Sequence, residues 1–570
     1  MLKRLFSTKG MLILIVVFSA YLRLHGIEWD QGYHLHPDER AIIMTVADLD
    51  YPSSIAEFAS KTSPWNTNFF AYGSFPFYLL KIVGDMMSGL NPLFAEYSLL
   101  IIPGRMLSAF FDLLTLVFIY KIARLLFTEK VGLVAAFFYG VSVLPIQLSH
   151  FYAVDTLLTA FITITLYLLL LFYKKPTPTK ALLIGISFGF AVATKISALV
   201  LLAPLGIALI IDVVLQISTK DKPRKHIKQS FINHAQHIFY YGSVIILTSG
   251  LAFVLLSPYV IFDFQNFWLQ TQQQSMMTRD PFTFPYTLQY VGKLPYLYEL
   301  KNVFFYGLGP FIALISGLGF VALLYKLLRK PMHNQTQILI LLTFFICYFA
   351  IVGRFTIGFM RYMLPLYPLF AVFSAYGIWQ LIKYFAIVGT ARNIVIGYLI
   401  IASLTWPMSF IEIYSKDNTR VEATEWIHTN IPAGSTIAIE HWDDRLPLFM
   451  QDPYITETYE LYNPDTPEKW MILNQQIQRT DYIIIASNRL YTPLQKLTAC
   501  EKLPPDRCYD RTAEYYESLF SGNLGFTKVA EFSNYPRVPL LNTAINDQSA
   551  DESFTVYDHP KIMIFKKESK

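Results

Sequence analysis

The residues with the most chemical capacity lie in one short run, Tyr33-His34-Leu35-His36-Pro37-Asp38-Glu39-Arg40. Two adjacent carboxylates can serve as a general base, a cation site, or both. Pro37 fixes the chain just before the pair, and Arg40 is placed to hold one carboxylate ionised. His34, His36, Asp38 and Glu39 also make a mixed nitrogen and oxygen donor set for a divalent metal, although His-x-His is a short pattern. The plainer alternative is an exposed acidic turn with two incidental histidines. A second acid, Asp155, sits in Ser149-His150-Phe151-Tyr152-Ala153-Val154-Asp155-Thr156. It can act at a site beside the membrane or cap the helix that follows, and the two roles are compatible.

Four cations, Arg105, Lys195, Arg354 and Arg361, stand near the same ends of apolar blocks as these acids. A ligand with a membrane-embedded tail and a surface phosphate needs such charges, and the arginine fork suits phosphate best. Taken singly, each can equally be a long side chain that snorkels to lipid headgroups. Arg23 is expected to pair with an acid of the following loop. His441-Trp442-Asp443-Asp444 reads as a surface turn.

The elements that must position these groups follow from composition. Of 570 residues, 54% are hydrophobic and only 15% charged, against about 25% charged in soluble domains. Mean hydropathy is +0.39. Runs such as Met11 to Leu22, Val131 to Leu148 and Ile338 to Val352 are nearly free of charge, and hydrocarbon about 30 Å thick takes roughly 20 apolar residues per helix. The pattern predicts about eleven spans, near 10–27, 97–120, 131–148, 151–173, 181–194, 197–216, 239–260, 302–326, 337–353, 362–383 and 393–413.

Lys121, Arg124, Lys130, Lys174, Lys175, Lys180, Lys220, Lys222, Arg224, Lys225, Lys228, Lys326, Arg329, Lys330, Lys383 and Arg392 fall in alternate loops. By the positive-inside rule this puts the N-terminus in the cytoplasm of a multi-pass cell-membrane protein. Three segments are then extracytoplasmic: a first loop at 28–96, a second at 261–301 and the C-terminal part.

Within the helical domain at 1–413, the amphipathic stretch Asn68 to Val83 is expected along the interface. The aromatic second loop is expected to grip an elongated ligand or pack on the first loop. Residues 414–570 read as a soluble α/β domain, with a helix at Val421 to Asn430 and strands at Thr436–Glu440, Tyr482–Ala486 and Ile562–Phe565. The basic start resembles a signal peptide but no small-residue cleavage site follows, which favours a retained helix. Three cysteines exclude a disulfide scaffold, while Cys500 and Cys508 are close enough to pair in an oxidising compartment. A net charge of +5 gives nucleic acid no support as a partner.

On these residues the chain resembles the type C glycosyltransferases, and more narrowly the dolichyl-phosphate-mannose protein mannosyltransferase-like group (glycosyltransferase family 39-like, phospholipid-carrier-dependent). The resemblance rests on His36-Pro37-Asp38-Glu39, Pro103 to Ala109, His150 to Asp155, Ala193-Thr194-Lys195, Ser257-Pro258-Tyr259, Arg361 to Pro368 and the tail Asp551 to Lys561, in that order. It implies an α-helical polytopic fold and inverting transfer of a mannose-like sugar from a polyprenyl-phosphate carrier. The acceptor is a protein, lipid or glycan on the outer face.

By the same resemblance Asp38 is the base, Glu39 orients the acceptor or assists the base, and Asp155 is the second acid. Arg105, Lys195, Arg361, Tyr362 and His36 are expected to bind the carrier phosphate or substrate. No cofactor is certain, and relatives differ over a divalent metal. The C-terminal part does not resemble the β-trefoil of eukaryotic members, which leaves the acceptor open. The competing functions are a transporter or flippase for a lipid-linked glycan, and a non-catalytic glycan-binding relative.

Overall fold

Backbone in hydrocarbon must satisfy its own hydrogen bonds, and each charge-poor block is helical accordingly. The structure, a computed structural model, describes residues 7–217, 224–329, 332, 334–386, 388–448 and 453–568, with the side chains of 212–217, 224–231, 233, 234 and 392 left aside. Among the described residues seven helices are long and apolar enough to cross a membrane, and eight if the pair Glu129–Gly140 and Val143–Ser149, bent by 58°, is one span. The other three expected spans are helices too, but shorter. Thr8–Leu24 and Pro178–Thr194 have 17 residues each, which at 1.5 Å per residue rise about 26 Å. The third, at 197–216, begins as the 3-10 turn Ile196–Leu201. Of the basic residues used for orientation, Lys220, Lys222 and Lys330 lie outside the described residues.

Small residues let the helices meet. A Cβ on Gly319 would lie 1.9 Å from the Phe373 carbonyl oxygen, so Pro310–Arg329 and Tyr367–Tyr384 touch backbone to backbone. Arg23 takes a different partner from the one expected: its Nε donates to Asp112 at 2.5 Å, within the bundle rather than to a loop acid. The Gly140 carbonyl accepts from its Nη1 at 2.9 Å. Seen from the chain, Asp112 lies in the middle of an apolar block and carries no sign of this pairing.

The expected boundary near 414 falls in a 3-10 turn, Glu412–Ser415. Beyond it, helix Thr419–Asn430 leads into strands β1 (Thr436–Glu440), β2 (Ile455–Tyr459), β3 (Tyr482–Ile485), β4 (Phe526–Phe532), β5 (Arg537–Val538), β6 (Thr543–Ala544) and β7 (Ile562–Lys567). One sheet runs β2-β1-β3-β7-β4, with β2, β1 and β3 parallel and β7 antiparallel to both its neighbours, β3 and β4. The pair β5-β6 is a separate hairpin. Cys500 and Cys508 form a disulfide.

His441 to Asp444 is not a plain surface turn. Asp443 and Asp444 form ion pairs with the buried Arg420 at 3.6 and 3.2 Å, and Asp444 also accepts from Arg40 of the first loop at 3.3 Å. Arg40 therefore ties two domains together rather than serving the Asp38-Glu39 pair.

The tail completes the joint. Asp558 accepts from Gln147 at 3.0 Å and Tyr414 at 2.8 Å, and Glu552 accepts from Arg489 at 2.6 Å. His559 lies buried between Asp558 (2.5 Å) and Asp547 (2.9 Å). Burial alone would lower its pKa, but the two carboxylates push it up to about 10 from an ordinary 6.5. A raised folded-state pKa means the protonated pairing stabilises fully below about 6.5 and is lost as pH rises through about 10. Thermal stability of the native chain is expected to fall across that window, and His559→Asn to flatten the dependence. An equally steep loss in the variant would place the titration elsewhere.

Candidate active site

Helix Pro37–Ala47 begins the site. His36 caps it, accepting from the Glu39 amide at 3.3 Å, and Pro37 opens its first turn. Successive residues on a helix point about 100° apart, so the two carboxylates face different surroundings. Glu39 turns inward and is fully buried. Its two oxygens accept from Arg105 at 3.0 and 2.8 Å, and one also from the Tyr152 amide at 2.7 Å.

Arg105 in turn donates to Asp30 at 3.0 and 2.8 Å and to the Ile27 carbonyl at 2.7 Å, above the Trp29 ring. All five guanidinium N–H groups are engaged. Arg105 is buried and saturated, so the phosphate contact expected of it has no donor left. These bonds fasten the first loop to helix Ile101–Leu126.

Asp38 faces the other way and is paired with Arg361. Arg361 comes from the 3-10 turn Met360–Leu366 that precedes helix Tyr367–Tyr384, and its Nε also lies 4.0 Å from Asp155. Asp155 is the first residue of Asp155–Lys174 and makes no cap hydrogen bond. It accepts instead from Lys195 Nζ at 2.9 Å. Lys195 stands over the rings of Tyr362 (4.6 Å) and Tyr72 (5.7 Å). Four charges from four separate segments thus meet: Asp38, Asp155, Lys195 and Arg361.

Lys195, Tyr362 and Tyr72 help to line a cavity of about 1020 Å³. Phe253, Val260, Phe267 and Val352 give it apolar lining, with Arg354 and Thr356 among its polar residues. Helix Phe264–Arg279 of the second loop closes one side and also packs on the first loop, where the Phe70 amide donates to Gln270 at 2.7 Å. Of the two roles expected of that loop, packing on the first loop is observed. Gly73 is required here, since a Cβ would lie 1.8 Å from the Ala193 carbonyl oxygen. That close approach brings Tyr72 beside Lys195.

The proposed metal donors do not converge. His34 stacks on Tyr97, with ring centroids 4.3 Å apart, and neither ring nitrogen has a hydrogen-bond partner. His36 is packed against Phe151 and Tyr557 at 4.5 and 4.2 Å, away from the cavity. Burial, then the charges of Arg361 and Arg105, hold its pKa well below the usual imidazole range. A neutral His36 can accept the helix-capping bond it makes. Among the described residues the one cluster with metal-like spacing is Cys500, Cys508 and Asp510, where the two sulfurs are already bonded to each other.

Asp30, Tyr72 and Asp558 were not singled out from the sequence. Tyr72 had a faint signal, within the aromatic stretch of the first loop, and Asp558 another, within the tail that supports the family resemblance.

Residues 95–232 match the family model described as dolichyl-phosphate-mannose-protein mannosyltransferase. That segment contains Arg105, Asp155 and Lys195. No curated protein matches the chain. Among solved structures, the archaeal oligosaccharyltransferase AglB from Archaeoglobus fulgidus, in complex with an inhibitory peptide and a dolichol-phosphate, is 13% identical with a TM-score of 0.52, over 99% of this chain and 89% of that one. The oligosaccharyltransferase of Archaeoglobus fulgidus in complex with Zn and sulfate is 13% identical with a TM-score of 0.50, over 98% and 88%. ArnT from Cupriavidus metallidurans, bound to undecaprenyl phosphate, is 13% identical with a TM-score of 0.41, over 86% and 95%. The fold is that of the polytopic type C glycosyltransferases with a C-terminal domain, as the resemblance implied.

Proposed function

We propose that this chain transfers a sugar, mannose-like, from a polyprenyl-phosphate carrier to an acceptor hydroxyl on a protein, lipid or glycan, with inversion at the anomeric carbon. One observation carries the reading: two carboxylates and two cations meet in one cluster, and one of them, Lys195, also lines a largely apolar cavity. An isoprenoid tail suits the apolar lining, and its phosphate suits the cations. The matched family model and the dolichol-phosphate in the AglB complex support that carrier class.

In the proposed reaction Asp38 takes the proton of the acceptor hydroxyl as its oxygen attacks the anomeric carbon from the face opposite the phosphate. The bond between that carbon and the phosphate oxygen breaks, and the phosphate leaves with the electron pair. Arg361 and Lys195 offset the charge that develops on it. Asp155 holds both cations, and Tyr362 supports Lys195 from below. An entering phosphate competes with Asp38 for Arg361, which would release the base only when donor is bound. Glu39 is a positioning residue.

A divalent cation does not fit this donor set. Each carboxylate already has a cationic partner, and among the described residues neither an imidazole nor a third carboxylate joins them. No step is therefore routed through a metal. Exhaustive chelation is expected to leave the transfer rate unchanged, and a loss restored by added divalent ion would refute that part of the scheme.

The acidic end of the bundle is proposed to face outward. Basic residues Lys121, Arg124, Lys326 and Arg329 gather toward the opposite helix ends, and the Cys500–Cys508 disulfide suits an oxidising compartment. The test is incubation of the chain in nanodiscs with synthetic polyprenyl-phosphate hexoses and candidate acceptors. Release of free polyprenyl phosphate coupled to product supports transfer. Movement of intact donor across sealed vesicles without release would identify a flippase.

A further inference from the structure

The hairpin β5-β6 spends its most hydrophobic residues on nothing in the protein. At its tip Leu540 is wholly exposed and Leu541 73% exposed. Leu540 adopts φ +68°, a left-handed conformation that is uncommon for a residue with a bulky side chain, and Asn542 follows at +52°. Arg537 stands at the base of the tip, donating to the backbone and side-chain oxygens of Asn542 at 3.3 Å. A strained turn that presents two leucines outward gains no packing from this chain.

Its placement identifies what covers it. Asn534, just before the hairpin, donates to the Ile413 carbonyl at 2.9 Å, at the end of the last membrane helix. Ile545, just after it, shares a cavity of about 430 Å³ with Ala402, Ser403, Thr405 and Trp406. Those residues precede the helix end at Ile411 by five to nine positions, or about 8–14 Å along the axis. The Ile545 amide bonds the Pro536 carbonyl at 2.8 Å, so both strands have reached this level before the tip begins. From Asn534 to the Pro536–Ile545 pair the chain runs back along the helix, and the tip continues beyond. The neighbouring helix face is one that meets lipid: Ile394, Tyr398 and Ile401 are 67%, 66% and 69% exposed at helical spacing. The tip leucines and this helix face are both apolar and exposed.

We propose that the β5-β6 hairpin is a membrane anchor of the C-terminal domain. Leu540 and Leu541 insert among lipid tails beside helix Gly389–Ile411, and Arg537 meets the phosphate of the headgroups. The anchor holds the soluble domain down against the helical bundle. It is independent of the transfer reaction.

The full chain is used for the test, with Cys347 replaced by serine and the Cys500–Cys508 disulfide intact. Leu540→Cys carries an environment-sensitive fluorophore, and Gln475→Cys, exposed on the soluble domain, is the control. Each is reconstituted into vesicles of phosphatidylcholine and phosphatidylglycerol. The expected result is blue-shifted emission at position 540, strong quenching by spin-labelled acyl chains and protection from aqueous iodide, with the reverse at 475. Leu541→Cys gives a second reading at a neighbouring exposed position. Iodide quenching at 540 and 541 equal to that at 475 would overturn the proposal. So would protection that disappears when vesicles hold single copies, since that would make the tip a contact between chains.

Discussion

Replacing Asp38 with asparagine is expected to lower the rate of sugar transfer by about 10²–10⁴-fold, the range that a positioned general base contributes. The substitution keeps shape and removes charge, so the helix Pro37–Ala47 and its cap remain. Its effect on donor binding separates catalysis from adhesion. In the resting chain Arg361 is paired with Asp38, and the phosphate must draw it away. Asparagine relaxes that competition, and polyprenyl phosphate should bind Asp38→Asn at least as tightly as the native chain. Transfer is measured with labelled donor, and binding by equilibrium titration of polyprenyl phosphate in nanodiscs. Undiminished transfer would remove Asp38 as the base. A fall in donor affinity matching the fall in rate would make it a binding residue instead.

The Asp-Glu pair was legible in the sequence as a candidate site, although local sequence alone allowed an exposed acidic turn equally well. Which of the two pairs with Arg361 and which is buried on Arg105 was not. That choice depends on Arg105, 66 residues away from Glu39, and on Asp30, which nothing marks in the chain. Arg105 itself looked like Lys195 and Arg361, since all three are cations at helix ends. Only the count of donors already spent distinguishes a fastener from a ligand. Helix positions were equally legible from hydropathy, yet three of the eleven helices fall short of the length test because sequence blocks run on into turns. The His441 to Asp444 segment was misread for a related reason. Its partners, Arg420 and Arg40, arrive from another helix and another domain.

The second large effect follows from that distinction and is one of stability. Arg105→Met leaves the carboxylates of Asp30 and Glu39 buried with no counter-charge. Removing one partner of a buried ion pair typically costs about 3–5 kcal/mol. The chain is therefore expected to show a large fall in thermal midpoint in detergent, together with loss of transfer. A phosphate ligand behaves differently, because its removal weakens donor binding while the fold survives. Arg105→Lys should rescue little, since an ammonium cannot make the five directed hydrogen bonds of the guanidinium. The decisive variant neutralises all three groups, as Arg105→Met with Asp30→Asn and Glu39→Gln. A neutral trio has no stranded charge and should regain much of the stability lost in the single variant. If it also regains transfer, then neither Arg105 nor Glu39 acts on substrate, and chemistry rests with Asp38, Asp155, Lys195 and Arg361. If stability returns but donor binding does not, Arg105 does contact the carrier, and its assignment as a fastener falls.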